Sequence, residues 1–315
     1  MQYKVSSLIT ELKFTRSFEI SPSTSVANVR LNVYSVERSL HFYRDLLGFK
    51  LIGRSSEDNA VLAPIDSNNK DHLLQLSRVD ATRVIEGEKS PIRQAGLYHF
   101  AILLPSRRHL ANIFRHLTED SNQPYFEGAA DHSVSESLYL RDPDSNGVEI
   151  YRDRDQSEWK RSGQFQVKMK TDPLNLKQLL REAEDQINWS MPADTIIGHV
   201  HLHVSDLIKS RNFYSEILGF HHTCSYPGAN FFAADSYHHH IATNTWQGND
   251  IAKADSRQPG LDHFSLNLGS KENLEELLSQ LRRMEIEVSE DDGNKINNES
   301  FFILDPDKIK IQIYY

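Results

Sequence analysis

Only one cysteine, Cys224, occurs in 315 residues. No intrachain disulfide framework and no cysteine-built zinc cluster is therefore available, which suits a reducing compartment. The thiol itself reads as a small buried hydrophobe. Long apolar runs are also missing: nothing approaches the roughly 18 apolar residues of a membrane span, and residues 1–25 lack the apolar stretch of a signal peptide. Basic charge is in deficit, with 35 Lys and Arg against 44 Asp and Glu, a net −9. The overall field thus opposes nucleic acid and anionic bilayers, and the short Arg107-Arg108-His109 run reads as a solvated helix start. The expectation is a cytoplasmic chain of two domains at roughly 150 residues each, with self-association left open.

What is abundant is histidine, 15 residues, and imidazole is the commonest metal-binding side chain. Their placement follows an internal repeat. Val29–Phe49, VRLNVYSVERSLHFYRDLLGF, aligns without a gap on Val200–Phe220, VHLHVSDLIKSRNFYSEILGF, with nine identities in 21 positions at a constant offset of 171. GLYHFAILL from Gly96 matches GLDHFSLNL from Gly260, and SLYLRDPDSNGVEIY from Ser137 matches SFFILDPDKIKIQIY from Ser300, including the Asp-Pro-Asp turn. The two halves are duplicates.

Each half divides again. A hydrophobic strand recurs at Val29, His99, Val200 and His263, each time followed by a helical pattern. Ser35–Leu47 carries Val36, Leu40, Tyr43 and Leu47 on one face and ends at Gly48; Asp206–Leu218 with Gly219 repeats it. Glu272–Met284 and, more weakly, Arg108–Leu117 complete the set. Short alternating runs after each helix read as strands. The predicted architecture is α+β, four βαβββ modules forming two curved-sheet barrels. Residues 1–25 are an N-terminal extension. The first half, 26–152, holds modules 26–80 and 95–152, and the second, 196–315, holds modules 196–247 and 259–315. Residues 153–195 form a linker with one helix at Asn175–Ile187. The Asp142-Pro143-Asp144 motif reads as turn chemistry, and Phe231 and Trp246 as pocket wall or core.

These motifs resemble the vicinal oxygen chelate superfamily of glyoxalases, bleomycin-resistance proteins and extradiol ring-cleaving dioxygenases. The SxxFYxxxLGF runs at Ser39 and Ser210, the two GLxHF strands and the DPDxNGxE turn at Asp142 carry the resemblance over nearly all of the chain beyond residue 25. Gly198–Val204 and YHHHIATNTW at Tyr237 look most like the bacterial catechol 2,3-dioxygenase-like members. The resemblance implies paired modules around a divalent metal, held by a His on each module's first strand and a Glu on one last strand. Carried over, these positions are Asn28 in the first module, His99 and Glu149 in the second, His199 in the third, and His263 and Gln312 in the fourth.

Pairing in chain order gives two imperfect sets, Asn28 with His99 and Glu149, and His199 with His263 and Gln312. A neutral Gln can serve as a ligand in glyoxalase-like sites, so this pairing stays open. Pairing the second module with the third, and the first with the fourth, gathers His99, Glu149 and His199 into one complete set and leaves Asn28, His263 and Gln312 as a degenerate pocket; this is the favoured reading. Two imidazoles and a carboxylate on one face of Fe(II), or of Mn(II) or another divalent metal, leave adjacent positions open for a small aromatic diol and dioxygen. The resemblance further implies His239 as acid and base and Tyr139 as a donor to substrate. His201 and His203 share a strand face with His199 and are expected to line the substrate pocket, whereas His238 and His240 alternate away from His239. The expected activity is extradiol cleavage of a catechol or hydroquinone. A glyoxalase-like isomerase or lyase and a non-catalytic small-molecule binding protein are the alternatives.

Overall fold

The computed structural model describes residues 18–66, 72–79, 93–119, 125–185, 188–255, 257–290 and 299–315. The sequence-predicted extension through residue 17 and the end of the predicted linker helix at 186–187 lie outside the described residues. The first repeat unit comprises β1 (Ser25–Val33), α1 (Val36–Leu40), β2 (Lys50–Ser56), β3 (Asn59–Ala63) and β4 (Leu74–Arg78). The second comprises β5 (Gly96–Leu103), α2 (Arg107–Glu119), β6 (Phe126–Asp131), β7 (Ser135–Arg141) and β8 (Gly147–Asp153). β9 (Asp172–Pro173) and α3 (Leu176–Leu180) follow. The third unit is β10 (Ile196–His203), α4 (Leu207–Arg211), β11 (His221–Tyr226), β12 (Ala229–Ala233) and β13 (Ile241–Asn244). The fourth is β14 (Gly260–Asn267), α5 (Lys271–Arg283), β15 (Ser289–Glu290), β16 (Phe301–Leu304) and β17 (Lys310–Tyr314).

Two mixed sheets result. One runs β15-β16-β17-β14-β1-β4-β3-β2 and the other β11-β12-β13-β10-β5-β8-β7-β6-β9. Strands of the first and fourth units therefore share a sheet through the antiparallel β1/β14 pair, and strands of the second and third share one through β10/β5. A continuous apolar core that includes Leu31, Phe42, Phe100, Leu202, Phe232 and Phe264 packs between sheets and helices.

The helices differ in detail from their sequence patterns. Ser35 caps α1 through its side chain, and Asp206 caps α4 in the same way, as short polar residues do at helix starts. Each helix then widens for one turn, with Leu47 N–H bonding to Phe42 C=O and Leu218 N–H to Phe213 C=O, five residues back. This π-type turn occurs at the same place in both repeats. In the linker the predicted helix Asn175–Ile187 is reduced to Leu176–Leu180. Asn175 caps its start, and after Leu180 the chain tightens into three-residue turns, with Glu182 N–H bonding to Leu179 C=O and Ala183 N–H to Leu180 C=O, to which Arg115 from α2 also donates. Arg107 is not a solvated helix start. It pairs with the buried Glu136, which Arg152 and Arg154 also contact. Cys224 is only half-buried and lines a cavity, not a packed core; it sits on β11, the edge strand of its sheet.

The two repeated motifs, FYxxxLGF and Asp-Pro-Asp, meet in space. Tyr43 donates its hydroxyl to Asp142 Oδ2 at 2.8 Å, and Tyr214 to Asp305 Oδ2 at 3.1 Å. The second aspartate of each turn accepts from the strand end before the helix: Asp144 from Tyr34 N–H at 3.3 Å, and Asp307 from Ser205 N–H at 2.9 Å. Each clamp joins one sheet to the other. The Asp-Pro-Asp turn is thus local turn chemistry and also a tie between sheets.

Burial pushes Asp305 up to about 7 despite the hydrogen bonds it accepts. The folded chain therefore holds this proton above the ordinary value of 3.8, and folding stability from this group falls as pH rises from about 4 to about 7. Asp305→Asn is expected to flatten that slope, seen as a smaller difference between urea midpoints at pH 5 and pH 8 than in wild type. An undiminished difference would assign the slope to other groups.

Candidate active site

The register of the second sheet assembles the site. Glu149 on β8 lies opposite Ala101 on β5, Ala101 lies opposite His199 on β10, and Tyr139 on β7 lies opposite Glu149. One row across the sheet therefore reads Tyr139, Glu149, Ala101, His199. The adjacent row sets Gly147, His99 and His201 side by side. Because side chains two residues apart share a face, both rows present to one concave surface.

Two close approaches make this possible. A Cβ on Gly147 would stand 2.1 Å from the carbonyl oxygen of Tyr98, and one on Gly198 would stand 1.8 Å from the Tyr151 hydroxyl. Gly198 is also the extra residue of a β-bulge immediately before His199, the kind of irregularity that re-aims a neighbouring side chain.

Nε2 of His99 lies 3.0 Å and Nε2 of His199 3.1 Å from the same oxygen, Glu149 Oε2. All three side chains are buried. Among the described residues, this is the group of His, Cys and acidic side chains whose donor atoms all converge within 4.8 Å. Burial opposes the charge of Glu149, yet His199 and His99 outweigh it and hold its carboxyl well below the usual range. Burial lowers His199 to about 4 even with Glu149 alongside, so its ring is neutral at neutral pH.

A cavity of about 260 Å³ opens over the three residues. Tyr139 and His239 both line it. Burial and the nearby Glu149 raise the Tyr139 phenol well above 10, keeping it a donor, and its oxygen lies 2.7 Å from His132 Nε2. The His239 ring lies 4.0 Å from that of His199, and burial holds it neutral, far below 6.5. His201 lines the cavity; burial lowers it too. The expectation that His203 lines the pocket fails. A bulge in β5 makes Tyr98 an extra residue, and Tyr98 takes the cavity wall while His203 packs against its ring at 5.0 Å and bonds Asn244 at 2.8 Å. Phe231 and Trp246 are cavity wall.

His238 is fully buried, 2.7 Å from His239 through the two Nδ1 atoms and 3.0 Å from Asp153 through Nε2. His240 accepts from Ala234 N–H at 3.1 Å. Sequence reasoning missed His132, Tyr98 and the linker residues Met169, Lys170 and Thr171, all of which reach the cavity. His132 sits in a tight hairpin whose register alone brings it to Tyr139, and no spacing rule marks the linker residues.

In the first sheet Asn28, His263 and Gln312 occupy the corresponding positions, but Ser265 stands where the second sheet has Ala101. Its hydroxyl lies 2.9 Å from Asn28 Oδ1 and 2.7 Å from Gln312 Oε1, filling the centre of the set. His263 turns its Nδ1 to Asp262 at 2.6 Å. Phe302 replaces Tyr139 and packs edge-on near His263.

Residues 25–150 and 196–313 match the family model for the Glyoxalase/Bleomycin resistance protein/Dioxygenase superfamily. A catechol-2,3-dioxygenase from Bacillus subtilis (strain 168) is 37% identical over 289 residues, 91% of this chain and 95% of the relative. Among solved structures, a putative dioxygenase from Bacillus subtilis subsp. subtilis str. 168 aligns with a TM-score of 0.61 at 10% identity, over 94% of this chain and 86% of that one. Glyoxalase I from Zea mays aligns with a TM-score of 0.53 at 13% identity, over 93% of this chain and 92% of that one; both likenesses concern the fold. With the family model matched across both halves, the chain belongs to the Glyoxalase/Bleomycin resistance protein/Dioxygenase superfamily.

Proposed function

We propose that this chain is an extradiol dioxygenase that opens the ring of an uncharged catechol, using Fe(II) held by His99, Glu149 and His199. The observation that carries this reading is the convergence of two buried imidazoles and one buried carboxylate at the floor of a cavity that also presents Tyr139 and His239. The 37% identical relative named as a catechol-2,3-dioxygenase supports the reaction class.

The residues suit a metal. Separations of 3.0 and 3.1 Å between each Nε2 and Glu149 Oε2 match the roughly 3 Å edge of an octahedron with bonds of about 2.1 Å. Ala101 contributes only a methyl group between them, so no polar atom competes for the centre. Two imidazoles and one carboxylate on one face are the donor set of mononuclear iron oxygenases. When bound, Fe(II) would hold catechol and dioxygen in adjacent positions and pass electrons between them.

The protein supplies the rest. Tyr139, a neutral phenol 2.7 Å from His132 Nε2, can turn its hydroxyl hydrogen from that ring to a substrate oxygen. His239, a neutral imidazole, takes and returns a proton beside the reacting ring. Val134, Met169, Phe231 and Trp246 supply an apolar wall for the ring and its substituent. The cationic side chain among the lining residues, Lys170, is exposed and shares an exposed ion pair with Asp172, so no buried counter-charge awaits a substrate carboxylate in the cavity.

After anaerobic loading with Fe(II), the protein is expected to consume oxygen with 4-methylcatechol and release a yellow ring-opened product. kcat/KM should exceed that for 3,4-dihydroxybenzoate by at least about tenfold, the discrimination that one unpaired group typically gives. Stoichiometric iron without oxygen uptake on any diol would overturn the dioxygenase reading and direct attention to glyoxalase-like isomerisation.

A further inference from the structure

Behind the cavity, the hydrogen bonds of Asp153, His238 and His239 form a directed chain. A carboxylate only accepts, and Asp153 accepts at both oxygens. Its Oδ2 takes the Tyr237 hydroxyl at 2.8 Å, and its Oδ1 lies 3.0 Å from His238 Nε2. His238 Nε2 must therefore carry a hydrogen. With one hydrogen on the ring, as in the resting Asp-His pair of a hydrolase triad, the order Asp153, His238 leaves His238 Nδ1 as a lone pair. That lone pair faces His239 Nδ1 at 2.7 Å, which must then be the donor. The ring's remaining nitrogen, Nε2, has no hydrogen-bond partner among the described residues and belongs to the ring edge on the cavity side, since His239 lines the cavity and His238 does not.

We propose that Asp153 and His238 are positioning residues that lock His239 as its Nδ1–H tautomer, presenting the Nε2 lone pair to the cavity as a ready base. Only this tautomer can take a proton from a substrate hydroxyl without first exchanging its own. The Nε2–H form would offer a donor there instead. Asp153 has the further task of anchoring Tyr237, whose hydroxyl lies 2.8 Å from that of Tyr151 beneath Gly198 and His199. The chain thus fixes the base and supports the floor of the site from one carboxylate. Its contribution to turnover rests on the dioxygenase reading above; the tautomer does not.

Long-range proton–nitrogen correlation spectra of the full, metal-free chain labelled with 15N-histidine read the tautomer directly, with the His239 signals identified by their disappearance in His239→Gln. Wild type is expected to show His239 with its hydrogen on Nδ1. Asp153→Asn offers His238 Nε2 a donor, so the chain can reverse and the His239 hydrogen is expected to shift towards Nε2. His238→Phe removes the acceptor and should do the same, whereas His238→Asn, which keeps an oxygen near the lost Nδ1, should retain the original form. In the iron-loaded protein, Asp153→Asn and His238→Phe should lower kcat about 10- to 100-fold, the usual worth of a residue one step behind the reacting group. KM and iron content should stay near wild type, and His238→Asn should recover part of the rate. A wild-type spectrum with Nε2–H or doubly protonated His239 would overturn the proposal, as would an unchanged kcat in His238→Phe with the tautomer lost. The expected tautomer without oxygen uptake in wild type would leave the inference standing and count against the dioxygenase reading alone.

Discussion

Glu149→Gln is expected to abolish iron retention and to lower oxygen uptake by more than about 10³-fold. A partner one step removed from a metal is generally worth about 10- to 100-fold, and a direct anionic ligand is worth more. The substitution keeps shape and one carbonyl oxygen but removes the only negative charge in the cluster. The oxygen it keeps can still accept at the point that both His99 Nε2 and His199 Nε2 approach, at 3.0 and 3.1 Å, but without the charge that holds a divalent metal there. Because burial itself opposes the carboxylate charge, a neutral Gln relieves a desolvation cost and keeps an acceptor oxygen, so the apo fold should survive. Two measurements separate site from scaffold. Iron per chain after gel filtration should fall from near one to near zero. Added Fe(II) at 100 times its dissociation constant should raise wild-type stability by about 2.7 kcal/mol and leave the variant unmoved. A variant that keeps stoichiometric iron and wild-type turnover would remove Glu149 from the centre.

His239→Ala should leave iron in place while turnover falls by about 10² to 10⁴, the typical share of a positioned acid or base. His239 lies beside His199, ring to ring at 4.0 Å, yet it is not within the three-donor cluster. Its nitrogen is directed to His238, not to Glu149. Burial, reinforced by His199 and His238, keeps its imidazole neutral well below 6.5, so a proton acceptor is present across the neutral range. Iron content and initial rate measured on the same preparation decide the matter: full iron with undiminished rate would exclude a chemical role.

Much of the candidate site is legible along the chain, because duplication supplies an internal alignment. The offset of 171 equates Asn28 with His199, and the paired Asp-Pro-Asp turns equate Glu149 with Gln312. Comparing such positions shows which strand carries a complete donor set and which has lost it. The same device fails for residues without a repeat partner of similar chemistry. Met169, Lys170 and Thr171 belong to the unduplicated linker, and they reach the cavity because β9 adds to the edge of the sheet through Ala130/Pro173. His203 illustrates a different failure. Period-two alternation puts it on the face of His199, but the alternation of the neighbouring strand breaks at the Tyr98 bulge, and a large ring takes the cavity wall.

The family, the duplication and the candidate donors can be read along the chain, since they depend on residue type and spacing. Which strands share a sheet, and that Ala101 leaves open a centre that Ser265 fills in the other, emerge from the folded strands alone. So does the Asp153–His238–His239 chain, in which residues 85 positions apart meet at 3.0 Å. The physical reason is that periodicity specifies which face a side chain takes within its own strand, whereas register and bulges, set by packing between distant strands, decide which side chains meet across it.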